Sequence, residues 1–258
     1  MASFYTRDGD RYVASPSTVG PWDPKLQHGG PVAALLGSRI EQAAARADAR
    51  LAQFALQFLG PVPVAALEVT TQLERPGKRI AHWSARCSAG GREAVRVSAW
   101  MLSVKEDRNP LVHLEDEPPP PMPAKAIDTY FPAVPHFGYG DALEWRFPEG
   151  GFDRLGPATC WARLKVALVE GEPVSQLSRV LAMVDSANGI SAELDVSTYL
   201  FVPVNLTVSL AREPATEWTA MRAVTSISSD GVGVTRARLF DERGMIGVAL
   251  QTLYVEKR

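Results

Sequence analysis

Residues 28–46, HGGPVAALLGSRIEQAAAR, read as a helix that very little solvent reaches. Val32, Leu35, Leu36 and Ile40 recur at helical spacing, and alanines fill many of the remaining positions. Pro31 suits the first helical turn, where the N–H it lacks has no intrahelical partner to lose. The spacing predicts a helix over 31–46. Four runs of strand character follow: Leu51–Leu59, Leu67–Glu74, Ile80–Cys87 and Ala94–Val104. Pro76-Gly77 and Gly90-Gly91 supply turns between them.

The same order returns further along. Thr159–Val169 is strand-like. Residues 174–188 form a second helical pattern, with Val174, Leu177, Leu181 and Val184 on one stripe. Strand candidates follow at Thr198–Ala211, Trp218–Ile227, Val232–Phe240 and Ile246–Val255. Ser229-Asp230-Gly231 and the 241–244 stretch are turns. A helix and four long strands, given twice, is an internal duplication. The stretch EDEPPPPMPAKAIDTYFPAVPH (115–136) separates the copies, because four consecutive prolines join neither a helix nor a central strand. The expected division is a first domain at 1–114, a Pro-rich linker at 115–140 and a second domain at 141–258. Each domain is expected to be an antiparallel sheet wrapped around one buried helix, an α+β class.

Bulk composition narrows the function classes. The 258 residues are 46% hydrophobic and 22% charged, with a net charge of -2. No Lys/Arg run offers a surface to nucleic acid. No apolar run reaches the roughly 18–20 residues that span a bilayer. The polar start at 1–10 lacks the pattern of a signal peptide, so a cytoplasmic location is expected. Cys87 and Cys160 form no CxxC pair and read as buried thiols in a reducing compartment. His28, His82, His113 and His136 show no metal-ligand spacing. No G-x-S-x-G nucleophile elbow is present, and Gly231-Val232-Gly233 is a hairpin turn rather than a dinucleotide fingerprint.

Several short motifs, in this order, resemble one family. They are Trp22-Asp23-Pro24 with HGGPVAALL (28–36), the stretch 58–63 (FLGPVP), and 74–77 (ERPG). In the second copy they are Met183-Val184-Asp185-Ser186, Asn205-Leu206-Thr207-Val208 and 247–253 (GVALQTL). Together they resemble the double-hotdog thioesterases, specifically acyl-CoA thioesterase II. The resemblance implies a tandem double hotdog, an acyl-CoA substrate and no cofactor or metal. It implies attack by a water that an Asp on the second helix and a Gln on the last strand hold. A hydroxyl residue on an intervening strand helps, and the amino end of the buried helix binds the oxyanion. The chain departs from the family at that hydroxyl, whose position falls at or near Pro203.

The residues themselves favour this chemistry. Glycine lets a ligand approach the backbone closely, so His28, Gly29 and Gly30 form a candidate oxyanion site, with Gly30 N–H as donor. Asp185 is a carboxylate in an apolar helix, which is costly unless it is paired or hydrated. It is a candidate general base with a pKa raised by desolvation. Gln251 sits in an apolar strand and can donate to and accept from one water. Asn205 and Thr207 share a strand face and are candidates for the third polar group.

Aligned, the copies complement each other. Asp185 falls on Gly37, Gln251 on Trp100, and His28-Gly29-Gly30 on Gln176-Leu177-Ser178. One composite site should be complete and the other dead. A related dehydratase or hydratase is less favoured, because neither helix carries a His/Asp or His/Glu pair. A non-catalytic acyl-CoA or acyl-carrier binding protein is the third reading. Exposed strand edges make a homo-oligomer plausible.

Overall fold

The structure, a computed structural model, describes residues 2–105, 108, 117–127, 130–131 and 134–258. The N-terminal half contains β1 (Ser3–Asp8), β2 (Arg11–Ala14), α1 (Gly29–Ala44), β3 (Ala49–Phe58), β4 (Ala66–Arg75), β5 (Ile80–Ala89) and β6 (Arg92–Ser103). The C-terminal half begins with the short α2 (Gly138–Asp141), then β7 (Leu143–Glu149), β8 (Ala158–Leu164) and β9 (Ala167–Val169). It continues with α3 (Gln176–Val184), α4 (Ala187–Ile190), β10 (Tyr199–Pro203), β11 (Asn205–Leu210), β12 (Thr219–Ile227), β13 (Val232–Asp241) and β14 (Gly244–Lys257).

The two expected sheets are joined into one of 14 strands, in the order β7-β8-β12-β13-β14-β11-β3-β6-β5-β4-β2-β1-β9, with β10 on β14. The order mirrors itself about the antiparallel pair β11–β3, where Thr207 faces Ala55. Reading outward, β3, β6, β5, β4, β2 and β1 match β11, β14, β13, β12, β8 and β7. This is a double hotdog whose halves share a continuous backbone ladder.

Helix α1 is buried continuously from Gly30 to Ile40. It packs antiparallel to α3. Gly30 meets Ala182 at one end of the contact, Gly37 meets Leu181 in the middle, and Ser175 Oγ donates to Glu41 at the far end. Around them the apolar sides of both half-sheets close the main core, and Trp161, Trp218, Ala220 and Phe240 form a second, smaller cluster.

Several elements differ from the sequence-based expectation. β1 and β2 were not anticipated, although Asp8-Gly9 is a hairpin signal and Gly9 has φ +61°. The run 159–169 splits, and its second piece β9 leaves its own half to pair in parallel with β1. The helix expected over 174–188 breaks at Asp185 into α3 and α4. The strand expected over 198–211 breaks at Val204 into β10 and β11. Part of the expected linker, including 115–116, lies outside the described residues. Residues 117–123 of the linker are tied to the second half, and Tyr130, Phe131, Phe137 and Tyr139 enter the core. Trp161 Nε1 donates to Pro120 O, Arg146 donates to Pro123 O, and Glu117 pairs with Arg222 and Arg238.

Candidate active site

The first turn of α1 has few amides to offer. Pro31 has no N–H, and Gly30 N–H donates to His28 Nδ1 at 3.0 Å, closing an N-cap. That leaves Gly29 N–H, which is directed to the Asp185 carboxylate. The Gly30 N–H expected to bind an oxyanion is therefore already engaged by its own cap. Both glycines are required by close approach. A Cβ on Gly29 would overlap the Phe58 ring and Asp185 Oδ2, and a Cβ on Gly30 would overlap the Ala182 carbonyl.

Asp185 lies where α3 stops. Tyr139 Oη donates to Ala182 O at 2.8 Å, and Gln251 Nε2 donates to Asp185 O at 3.1 Å. These bonds satisfy carbonyls that a helix end leaves free. The same Gln251 Nε2 donates to Asp185 Oδ1 at 3.0 Å, and Gln251 Oε1 accepts from Asn188 N at 3.2 Å. Asn188 Nδ2 in turn donates to Phe201 O. Gln251 thus clamps the carboxylate, the helix end and the start of α4 together.

His28 approaches from the other half. Its Nδ1 lies 3.4 Å from Asp185 Oδ2. Its ring stacks on Tyr139 at 3.7 Å between centroids and 5° between planes. Because Nδ1 accepts from Gly30 N–H, the ring proton belongs on Nε2. Burial pushes the His28 pKa down to about 3, so the ring is neutral. Desolvation pushes Asp185 up to about 7, and the bonds from Gln251 and Gly29 N–H only partly offset it.

These groups open onto a cavity of about 500 Å³ between the halves. His28, Gly29, Asp185 and Asn188 line its polar end. Trp22, Leu26, Phe58, Val62, Leu200 and Val202 supply apolar wall. A small polar group set in an apolar slot is the usual form of a small-molecule site.

Asn205 and Thr207 do not reach this cavity. They face away from the core, whereas Leu206 and Val208 point inward. Asn205 Oδ1 instead accepts from Thr252 N, holding the break between β10 and β11. Asn188 and Tyr139 were missed by sequence reasoning. Asn188 carries a faint signal, three residues after Asp185, whereas Tyr139 carries none. Pro203, at or near which the resemblance puts a hydroxyl residue, lines the cavity as an apolar wall residue. Among the described residues no group of three or more His, Cys, Asp or Glu side chains could hold a metal ion.

The second, pseudo-symmetric location lacks this machinery. The alignment places Gly37 where Asp185 stands and Leu177 where Gly29 stands. Gly37 does lie against Leu177 and Leu181, with Phe54 behind them, so this spot is filled by hydrocarbon. The pairing of Gln251 with Trp100 needs correction. Gln251 is buried on the inner face of β14, whereas Trp100 is 37% exposed on the outer face of β6. A one-residue slip in a strand exchanges faces. The inward residues there are Ala99 and Met101, and neither can hold a water.

Comparison with known proteins follows this division into halves. The acyl-CoA thioesterase N-terminal domain matches residues 18–102, and the acyl-CoA thioesterase C-terminal domain matches residues 114–255. A search of curated proteins finds no match. A solved hot dog protein of unknown function from Alicyclobacillus acidocaldarius has a TM-score of 0.74 at 16% identity, covering 98% of this chain and 95% of its own. An acyl-CoA thioesterase II from Mycobacterium marinum gives 0.66 at 13% identity, with coverages of 98% and 94%. The CurJ dehydratase gives 0.51 at 14% identity, with coverages of 88% and 82%. At such identities these structures share the fold. The two family domains, matched in order along one chain, place this protein in the acyl-CoA thioesterase family.

Proposed function

We propose that the chain hydrolyses acyl-CoA thioesters at the single site between its halves. The observation that carries this reading is the Asp185 carboxylate, buried, clamped by Gln251 and facing an apolar cavity beside the amino end of α1. The acyl chain lies along the wall formed by Phe58, Leu200 and Val202, and the thioester carbonyl sits against Gly29. Asp185 in its ionised form takes a proton from water as the water oxygen bonds to the carbonyl carbon. As Asp185 takes up that proton it releases its hold on Gly29 N–H, which then steadies the developing oxyanion. Collapse of the tetrahedral adduct breaks the C–S bond, and the proton held by Asp185 passes to the thiolate. Free acid and CoA leave. A base with a pKa near 7 suits proton transfer at neutral pH.

The decisive measurement is free thiol released from a panel of acyl-CoAs. Asp185→Asn should lower the rate at least about a hundredfold, the scale of general-base catalysis. Equal rates for both proteins would remove Asp185 from the mechanism. Binding without release by the parent would favour a non-catalytic acyl-CoA or acyl-carrier binder.

One observation supports a second reading. His28 and Asp185 make the His/Asp pair of a dehydratase or hydratase across two helices rather than on one. Dehydration of a 3-hydroxyacyl thioester would yield an enoyl chromophore without free thiol, so the same assay read at both signals separates the two.

A further inference from the structure

We propose that Arg92 and Arg258, which lie against the cavity-lining residues Gly60 and Trp22, bind the phosphate groups of the thiol half of the substrate. The inference rests on the thioesterase reading of that cavity and adds which residues recognise the leaving group.

The cavity wall is built from loops that bring these arginines in from distant parts of the chain. Residues 58–62 form one side, and Leu59 N and Gly60 N both donate to Ala94 O near the start of β6. That pairing sets the guanidinium of Arg92 beside Gly60, 3.7 Å from the place a Cβ there would occupy. On the other side Trp22 packs edge-on against Phe201 at 5.0 Å. The Arg258 guanidinium lies over that indole, 5.4 Å from the ring centroid. Arg258 is held there because its N–H donates to Thr198 O, extending the β10–β14 pairing. Both arginines are solvent-exposed. Neighbouring arginines are already committed. Arg86 and Arg96 pair with Glu93, and Arg46 pairs with Asp48.

Asp23 lines the cavity, whereas Arg92 and Arg258 adjoin it. Asp23 Oδ1 is partly occupied by accepting from Lys25 N at 2.8 Å. Two exposed guanidiniums thus stand against one carboxylate whose Oδ1 is already engaged, on a chain whose net charge is -2. Deeper in, the cavity holds a neutral His28 and the carboxylate of Asp185, which repels phosphate. A phosphorylated substrate therefore enters acyl end first, with its anionic end retained at the rim. A guanidinium offers phosphate a planar, two-pronged set of donors, and at an exposed rim its contribution is electrostatic and salt-sensitive.

The test compares two thioesters of the same acyl group, one on CoA and one on N-acetylcysteamine, which carries no phosphate. The proteins are the parent, Arg92→Ala, Arg258→Ala and the double variant. For the acyl-CoA the double variant should raise KM about tenfold or more with kcat nearly unchanged, and 0.5 M salt should raise the parent's KM in the same way. Kinetics on the phosphate-free thioester should be unaffected. An unchanged KM for acyl-CoA overturns the inference while leaving the hydrolase reading standing. An equal loss on both thioesters overturns it as well, because the arginines would then act on shape. Should the parent release thiol from neither, the thioesterase reading fails, and titration with CoA itself still decides the rim. Weaker CoA binding by the double variant supports it, and unchanged binding overturns it.

Discussion

Asp185 is held in a state that costs stability once it ionises. Its ordinary value of 3.8 is raised to about 7 by desolvation. Between those two values the folded chain retains a proton that the unfolded chain releases. The stabilising contribution of that proton is complete below about pH 4 and drains away as pH rises through about 7. Asp185→Asn should therefore melt at a higher temperature than the parent at pH 8 and differ little at pH 4, as scanning calorimetry can check. Catalysis has the opposite slope. kcat should rise with pH on a single limb with a midpoint near 7, belonging to Asp185, and no imidazole limb should accompany it because His28 stays neutral. A midpoint unchanged in Asp185→Glu and equally present in Asp185→Asn would reassign the titration.

At the scale of elements, the two entry glycines of α1 make different contacts and should fail differently. Gly29 faces Phe58 and the carboxylate, groups that a methyl can push aside. Gly29→Ala should fold but misplace Asp185, lowering kcat about a hundredfold, since a displacement of about 1 Å has that scale of effect. Gly30 faces a main-chain carbonyl of α3, which cannot yield without moving the helix. Gly30→Ala should cost about 1–3 kcal/mol of stability, the usual penalty of overpacking, measurable by denaturant unfolding. Arg39 ties α1 to the loop before α3 through Glu172 and to β2 through Tyr12. Arg39→Met should cost on the order of 2 kcal/mol through lost charged hydrogen bonds, with kcat largely retained. These elements were largely legible in advance. The α1 helix, its glycine entry and most long strands follow from spacing and turn residues. The break at Asp185 was not legible, because it depends on Tyr139 and Gln251, which lie 46 and 66 residues away.

At the scale of the molecule, the halves are joined by more than the linker. β11 pairs with β3, β9 pairs with β1, and α1 packs on α3. Separating them would expose two sheet edges and the apolar side of each helix. Residues 1–114 produced alone should aggregate or remain unfolded, whereas the whole chain should melt in one cooperative transition by circular dichroism. A well-folded monomeric fragment would contradict this account of the interface. Among the described residues no helix is long and apolar enough to cross a membrane.

The sequence by itself determined the repeated helix-and-strand order, the buried character of both helices, and the residue types a reaction centre needs. Those features are local, written in periodicities of two and 3.6 and in the few polar residues that interrupt them. The tertiary structure alone decided which polar residues meet. Asn205 and Thr207 share a strand with the core but face away from it, and Trp100 stands on the wrong face to replace Gln251. His28 and Asp185 form a pair because two helices cross antiparallel, 157 positions apart in the chain. Side-chain direction and helix crossing are set by long-range packing, which no single stretch of residues encodes.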